Sequence, residues 1–593
     1  MKPLLGGLLM VCYKDSHIDA LRLKMKEDGL KAYLIVTGDP HNSEEPAPHF
    51  AAERKYFCPF DGDNAYVIVT EEEALLFTDG RFFVSAEKEL KGSCFKLMKL
   101  YTPGYPSPEE YIAANLLYPL GTNFLLVSPD EVKELERGGE VRDADYSCLV
   151  EGRQKLPSAK LWRFDESCYN DLSREEKLGK VKEGIFRSKA KAHLLTTLDD
   201  IAYLLNIRGD DIPYTPVFYS YLYVSLDEGT HLFVDPKRLT FRLDDVIIHP
   251  YEEIFSFLKE REGVATLVDP SQANAKICAL LKNPVFGNAP SRLLKAVKGK
   301  KEIENIKEIQ AEDGVAMLKF IDFLDTHKEE GLTEWDYAEK LGEFRKEGKR
   351  YIGDSFLTIA ATGENAAMMH YAPSNTQNSL VKEGPELLVD SGGQYYGGTT
   401  DTTRTFPLGK ISDEFIHDYT LTLKSLIALS SCVFIAGSSG RTIDMMARQV
   451  MWREGMDYKC GTGHGIGYLN VVHESPNGFR YRPSKGKDDG CLIVPGMVTS
   501  VEPGVYKEGK YGIRIENDIL AVKAFSTADG DFYRFENLTY VPIDVTCLDL
   551  SLMNEEEIAY LNDYHALVRE KLSPLVKGRL LDVLNDKTKP IKR

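Results

Sequence analysis

The sequence has no CxxC pair. Its ten cysteines are scattered singly from Cys12 to Cys547, which excludes a dense disulfide framework and a thiolate zinc ribbon and reads as reduced thiols in the cytoplasm. It has no run approaching the ~20 apolar residues that a membrane-spanning helix needs, so no membrane partner is expected. It has no excess of positive charge. The formal net charge is −18, which argues against a nucleic-acid partner, since such a protein carries a basic face. A short apolar stretch, Pro3 to Cys12, follows Lys2, but Tyr13, Lys14 and Asp15 come next without a small-residue cleavage pattern, so export is not expected. Low-complexity segments are absent as well.

What the chain does have is length. Its 593 residues exceed one core and suggest roughly two to four domains. An internal repeat gives the first division. Residues 31–39 read KAYLIVTGD and residues 191–199 read KAHLLTTLD, each after a polar, helix-like stretch. Each apolar run predicts a buried strand ending in a turn, at Asp39 or Asp199. Two related tandem α/β domains explain the pair. Residues 152–158 (GRQKLPS) predict a loop, with a new helical pattern from near Leu172. A second break falls at 283–300, where Asn283-Pro284, Gly287, Pro290 and the basic run KAVKGKK cluster. Beyond it Ile303, Ile306, Ile309, Leu318, Ile321 and Leu324 recur at helical spacing.

The chemistry lies in the last half. Residues 386–406 read ELLVDSGGQYYGGTTDTTRTF. An apolar run ends at Asp390, Gly392-Gly393 and Gly397-Gly398 predict sharp reversal, and a Thr-rich strand carries Asp401. Two facing strands would bring these acids together. Residues 461–467 read GTGHGIG, with four glycines around His464. The run lacks the lysine and spacing of a phosphate loop and does not match GxGxxG, so a ligand histidine fits better. Glu502 ends an apolar strand in VTSVEPG. Glu516 sits among Ile513, Ile515 and Ile519 in GIRIENDIL. An acid within an apolar strand is costly unless paired or metal-bound, and Arg514, on the same face by alternation, is its structural rival for a partner.

Four carboxylates and one imidazole suit divalent manganese, cobalt or zinc better than a structural zinc site, which prefers thiolates. Four negative charges match two divalent ions, and two ions about 3.5–4 Å apart can share a bridging water and lower its pKa. The expected chemistry is therefore hydrolysis by a bridging hydroxide. His370 in MMHYAP and His473 in VVHESP flank the set. A lone histidine is ordinarily a satisfied core residue. Only the need for an oxyanion donor and for a group to handle the leaving amine brings these two forward from twelve.

In this order and context Asp390, Asp401, His464, Glu502 and Glu516 resemble the ligands of the pita-bread metallopeptidases. That family includes methionine aminopeptidases, prolidases, aminopeptidases P and the metal-free creatinases. The sequence is most similar to the long, three-domain aminopeptidase P branch, nearly end to end. GDPHNSEEPAPHFAAERKYFCPFDG and FTDGRFF resemble its first domain, and LDDIAYLLNIRGDDIPYTPVFYSY its second. DSGGQYYGGTTDTTRT, GTGHGIGYLNVVHESP, VEPGVYKEGKYGIRIEN and ENLTYVPID resemble its third.

The resemblance implies an α/β (α+β) chain with two related α/β domains, at 1–165 and 166–298, ahead of a pita-bread catalytic domain at 299–593. It implies that the five ligands hold two divalent ions, commonly manganese. It implies that Glu502 also serves as general base, that His370 steadies the oxyanion or the scissile carbonyl, and that His473 and Arg514 contact substrate or shuttle protons. The expected reaction is hydrolysis of an N-terminal Xaa-Pro bond in a peptide, by a cytoplasmic homodimer joined through the catalytic domain. A prolidase acting on dipeptides uses the same metal set, and a metal-free peptide-binding scaffold shares the fold. The tandem domains favour the aminopeptidase over the former and the complete ligand set disfavours the latter. One position departs from the pattern. The histidine usual four residues before the metal histidine is Cys460, a smaller and weaker donor near the substrate. Activity is expected to survive it, with affinity, peptide preference or thiol redox sensitivity altered.

Overall fold

A computed structural model describes residues 13–44, 48–62, 64–482 and 490–593. The apolar stretch Pro3–Cys12 and residues 45–47 of the first family-like motif lie outside them. No described helix is long and apolar enough to cross a membrane. The nine described cysteines form no disulfides.

The sequence repeat has a structural counterpart. Helix Asp15–Glu27 leads into β1 (Ala32–Val36), whose five residues are all buried, as an apolar run covered on both faces must be. Around it lie β2 (Tyr66–Thr70), β3 (Ala74–Thr78), β4 (Phe95–Lys99), β5 (Leu120–Thr122) and β6 (Val141–Asp143), in the order β4-β3-β2-β1-β5-β6. Helix Arg174–Arg187 leads likewise into β7 (Ala192–Leu195). With it come β8 (Tyr221–Ser225), β9 (Gly229–Phe233), β10 (Val246–His249), β11 (Thr266–Val268) and β12 (Pro284–Phe286), in the order β10-β9-β8-β7-β11-β12. The polarities agree pair by pair: β1–β2 and β7–β8 are antiparallel, while β1–β5 and β7–β11 are parallel. Nine residues of sequence likeness thus mark two sheets of one topology. Residues 152–158 between them carry neither helix nor strand.

The chain divides into two compact units. One holds the chain up to residue 163 with 174–213 and 217–291; the other holds 164–173, 214–216 and 292–593. Asp171 shows why the segment 164–173 belongs with the second unit. Its carboxylate accepts the N–H groups of Lys301 (3.1 Å) and Glu302 (3.0 Å), capping the 28-residue helix Lys300–His327. That helix buries Ile306, Ile309, Leu318, Ile321 and Leu324. Ile303, expected on the same stripe, is only partly covered.

Two of the second unit's sheets carry most of the candidate residues. β13 (Ile359–Ala361), β14 (Glu386–Ser391) and β15 (Thr402–Pro407) form an antiparallel trio with β14 in the middle. β16 (Val433–Ile435), β17 (Gly463–Gly465), β18 (Glu474–Phe479), β19 (Val498–Val501), β20 (Asn517–Thr527) and β21 (Gly530–Asn537) form an antiparallel sheet in the order β16-β21-β20-β19-β17-β18. Helix Asp413–Ser430 brings Phe415, Tyr419, Leu423 and Leu426 into one core with Val501, Ile519 and Phe535. Each such side chain, fully buried, contributes about 1.5–3 kcal/mol. A short hairpin, Gly504–Lys507 with Tyr511–Arg514, runs from β19 towards β20.

Candidate metal centre

Asp390 lies in β14 opposite Thr403 of β15, and Asp401 stands one residue before β15 begins. The facing-strand expectation therefore holds for Asp390, while Asp401 occupies the entry to the second strand. The glycines between them divide the work differently from the sequence reading. Gly397 (φ +115°) and Gly398 (φ +152°) make the reversal. Gly392 has no such φ; a Cβ there would stand 1.9 Å from the Thr400 carbonyl oxygen, so glycine is needed for close approach rather than for turning.

The same reason accounts for the glycines at His464. A Cβ on Gly463 would meet Ser500 O at 1.8 Å, and one on Gly465 would meet Glu474 O at 2.3 Å. The bare backbone lets β17 sit tightly between β18 and β19, carrying the imidazole with it. Glu502 directly follows β19, and its N–H is held by Thr462 O at 2.7 Å. Glu516 sits in the link between Arg514 and Asn517, its N–H held by Thr403 O at 3.0 Å. It is thus at a break between strands and not inside one, although Ile513, Ile515 and Ile519 around it are buried as expected.

These five side chains converge. Ligand atoms of Asp390, Asp401 and Glu516 lie within 4.8 Å of one another, as do those of His464, Glu502 and Glu516 and those of Asp401, His464 and His473. His464 Nε2 is 3.4 Å from Asp401 Oδ2 and 3.3 Å from Glu502 Oε1. Arg514 does not pair with Glu516. Its guanidinium donates to Asp390 Oδ2 (2.6 Å), Tyr506 Oη (2.7 Å) and Thr403 Oγ1 (3.2 Å), and Thr403 in turn donates to Glu516 Oε2 (2.7 Å). The structural rival of a metal for Glu516 is therefore occupied elsewhere.

The electrostatics fit a cation site. Asp401 is pushed well above the carboxylate range, first by burial and then by the charges of Asp390, Asp518 and Glu502. Glu516 is pushed up in the same way, by burial and then by Asp401, Glu502 and Asp390. Asp390 Oδ1 is buried without a hydrogen-bond partner among the described residues. Crowded acids, a spare lone pair and one imidazole are what oxygen-preferring divalent ions satisfy.

The remaining candidates are placed unequally. The His473 ring packs edge-on against His464 with centroids 4.2 Å apart, close enough to count among the ligand groups. His370 lies in an exposed turn and belongs to none of those groups. Cys460 is half-buried, packs beside Leu421, Met451, Tyr458 and Val505, and its carbonyl accepts from Arg448 at 2.6 Å. Four further side chains touching the cluster were not selected from sequence: Thr403, Ser500, Tyr506 and Asp518. The last is buried two residues beyond Glu516, the spacing that puts two strand residues on one face, and that alternation was the signal available. Burial pushes the Asp518 carboxyl up to about 7, against donors from Gln310 and the Asp401 N–H.

Comparison with known proteins gives consistent matches along the chain. The profile of metallopeptidase family M24 covers residues 304–523, and that of the C-terminal region of the same peptidases covers 531–591. Creatinase/prolidase N-terminal domain profiles cover 17–151 and 152–302. A probable Xaa-Pro aminopeptidase P of Laccaria bicolor is 34% identical over 96% of this chain and 92% of its own length. Xaa-Pro aminopeptidase 1 of Dictyostelium discoideum is 33% identical over 97% and 96%. The crystal structure of X-prolyl aminopeptidase from Caenorhabditis elegans, described as a cytosolic enzyme with a di-nuclear active site, superposes with a TM-score of 0.91 at 32% identity, over 97% of this chain and 99% of that one.

Proposed function

This chain belongs to metallopeptidase family M24, and from that premise we propose that it is a metal-dependent aminopeptidase that removes the residue ahead of a proline from the N-terminus of peptides. The observation that carries the reading is the convergence of Asp390, Asp401, His464, Glu502 and Glu516. The chain is also similar over nearly its whole length to proteins named Xaa-Pro aminopeptidases. We assign these five side chains as the ligands of two divalent ions, with manganese as the ion. Two such ions would offset the carboxylate charge and acidify a water lying between them for attack on the peptide carbonyl.

The chain's own groups do the rest. Glu502 takes the proton of the attacking water. The nitrogen of the scissile tertiary amide carries no hydrogen, and a proton must be delivered to it as the C–N bond breaks so that it leaves as the secondary amine of proline. His473, beside His464, is the side chain assigned to that delivery. His370, in its exposed turn, is assigned to the developing oxyanion. Arg514 holds Asp390 and, through Thr403, Glu516, and the second N–H on each of its two terminal nitrogens is assigned to the substrate. Cys460 lines the substrate side and tunes preference. We take the catalytic domain as 299–593, preceded by domains at 1–165 and 166–298. The cytosolic X-prolyl aminopeptidase that this chain resembles supports a cytosolic location, and we take the chain to be a homodimer joined through the catalytic domain, a state that sedimentation of the purified chain tests.

The direct experiment is release of the first amino acid from an Xaa-Pro-Pro tripeptide in Mn²⁺ and in EDTA. Release that needs the metal is the expected result. Activity confined to Xaa-Pro dipeptides would make the protein a prolidase, and no release by folded, metal-loaded protein would overturn the proposal.

A further inference from the structure

The five proposed ligands are held by their main chains in different ways. Asp390 is inside a ladder, Glu502 and Glu516 give their N–H groups to carbonyls, and His464 gives its N–H to the Ser500 hydroxyl (3.1 Å). Asp401 precedes its strand, and its N–H goes to a carboxylate, Asp518 Oδ2, at 3.3 Å. The same oxygen accepts Gln310 Nε2 at 2.7 Å, from the long helix Lys300–His327. Asp518 is itself fixed, since its own N–H donates to Thr539 Oγ1 at 2.8 Å. Both Gln310 and Asp518 are buried, and Asp518 Oδ1 is buried with no hydrogen-bond partner among the described residues.

We infer that Asp518 is a positioning residue for the metal centre: clamped by Gln310, its carboxylate oxygen holds the main chain of Asp401 so that this ligand faces the other four. Helix, sheet and ligand loop then meet at one oxygen atom. The role is geometric. The oxygen receives two donors and gives none, so an amide oxygen in its place serves as well, whereas a methyl group leaves the Asp401 N–H and the Gln310 amide without their acceptor. The inference rests on the reading of Asp401 as a ligand.

The test is Mn²⁺ titration of metal-free protein by calorimetry, with the thermal midpoint of the same metal-free samples recorded alongside. Asp518→Ala is expected to weaken Mn²⁺ binding by roughly 10–100-fold, the usual loss when the partner of a metal ligand is removed. Asp518→Asn is expected to restore binding to within about threefold, and Gln310→Leu to fall between the two. Binding by Asp518→Ala as tight as the parent's overturns the inference. Should that variant not fold, unchanged binding by Gln310→Leu does the same. A loss explained by unfolding alone would appear as a lowered metal-free midpoint that Asp518→Asn fails to restore, and that too overturns it. Asp401→Asn separates the two readings. If it loses Mn²⁺ while Asp518→Ala keeps it, only the positioning role fails; if it keeps Mn²⁺, the ligand assignment fails as well.

Discussion

Arg514 reaches from the end of the hairpin to Asp390 at the end of β14, with 2.6 Å between guanidinium nitrogen and carboxylate oxygen. The pair is nearly enclosed, and the same guanidinium ties down Tyr506 and Thr403. Removing one member of a buried pair costs about 3–5 kcal/mol, because the other charge is left uncompensated. Arg514→Met is therefore expected to lower the thermal midpoint of the metal-free protein by more than ~5 °C and to weaken Mn²⁺ binding. Arg514→Lys keeps the charge but cannot serve three partners, and should fall between. A midpoint unchanged in Arg514→Met would show the contact to be energetically idle.

Glu502 takes the proton in the proposed reaction and also sits 3.3 Å from His464. Glu502→Gln should lower turnover of the tripeptide by about 10²–10⁴, the usual contribution of a positioned base, with some loss of bound metal. Near-normal turnover at full metal loading would remove Glu502 from the mechanism.

His370 lies in an exposed turn outside the three ligand groups. If it meets the oxyanion, His370→Ala should reduce kcat by about 10²–10³ while Mn²⁺ binding stays at the parental value. A variant that loses metal instead would place His370 among the ligands, contrary to its position in the structure.

Two glycines give opposite expectations. Gly463→Ala forces a methyl group into the Ser500 carbonyl and should part β17 from β19, lowering both the thermal midpoint and metal content. Gly342→Ala, in the helix Glu334–Lys346, meets nothing within 4 Å and should raise the midpoint, since alanine is favoured over glycine in a helix by about 1 kcal/mol. Equal effects of the two would contradict the close-approach account.

Glu386, at the start of β14, gives a pH signature. Burial pushes its carboxyl up to about 8, only partly opposed by the Gly512 and Gly363 N–H groups. In the unfolded chain it ionises near ~4.3. Between those values the folded chain holds the extra proton, so this group's stabilisation is complete at low pH and is lost as pH rises towards 8. Glu386→Gln removes the slope. Its thermal midpoint relative to the parent should climb between pH 5 and pH 8; a constant difference would refute the assignment.

The sequence made some of this legible for physical reasons that can be named. KAYLIVTGD and KAHLLTTLD exposed the duplicated sheets because a strand buried on both faces must stay apolar in each copy. Asp390, Asp401, His464, Glu502 and Glu516 stood out because acids and a glycine-flanked histidine are expensive beside apolar strands. What stayed hidden depends on three-dimensional neighbours. The partner of Arg514 could not be read, since alternation pointed to Glu516 while the fold supplied Asp390 from 124 positions away in sequence. Asp518 looked like an ordinary acid until Gln310 and the Asp401 N–H were seen to meet on it. The reason for glycine at 392, 463 and 465 lay in the backbone of other strands.

The ligands are spread from Asp390 to Glu516, and no two neighbouring strands carry the full set. Ribosomes add residues at about 5–20 per second, so on the order of ten seconds of synthesis separates the first ligand from the last. A nascent chain halted anywhere in that interval presents loose acids and an incomplete socket. If these five side chains hold the ions as proposed, uptake waits until β20 has joined its sheet, and a bound ion certifies that synthesis has passed Glu516 and that the two sheets have met.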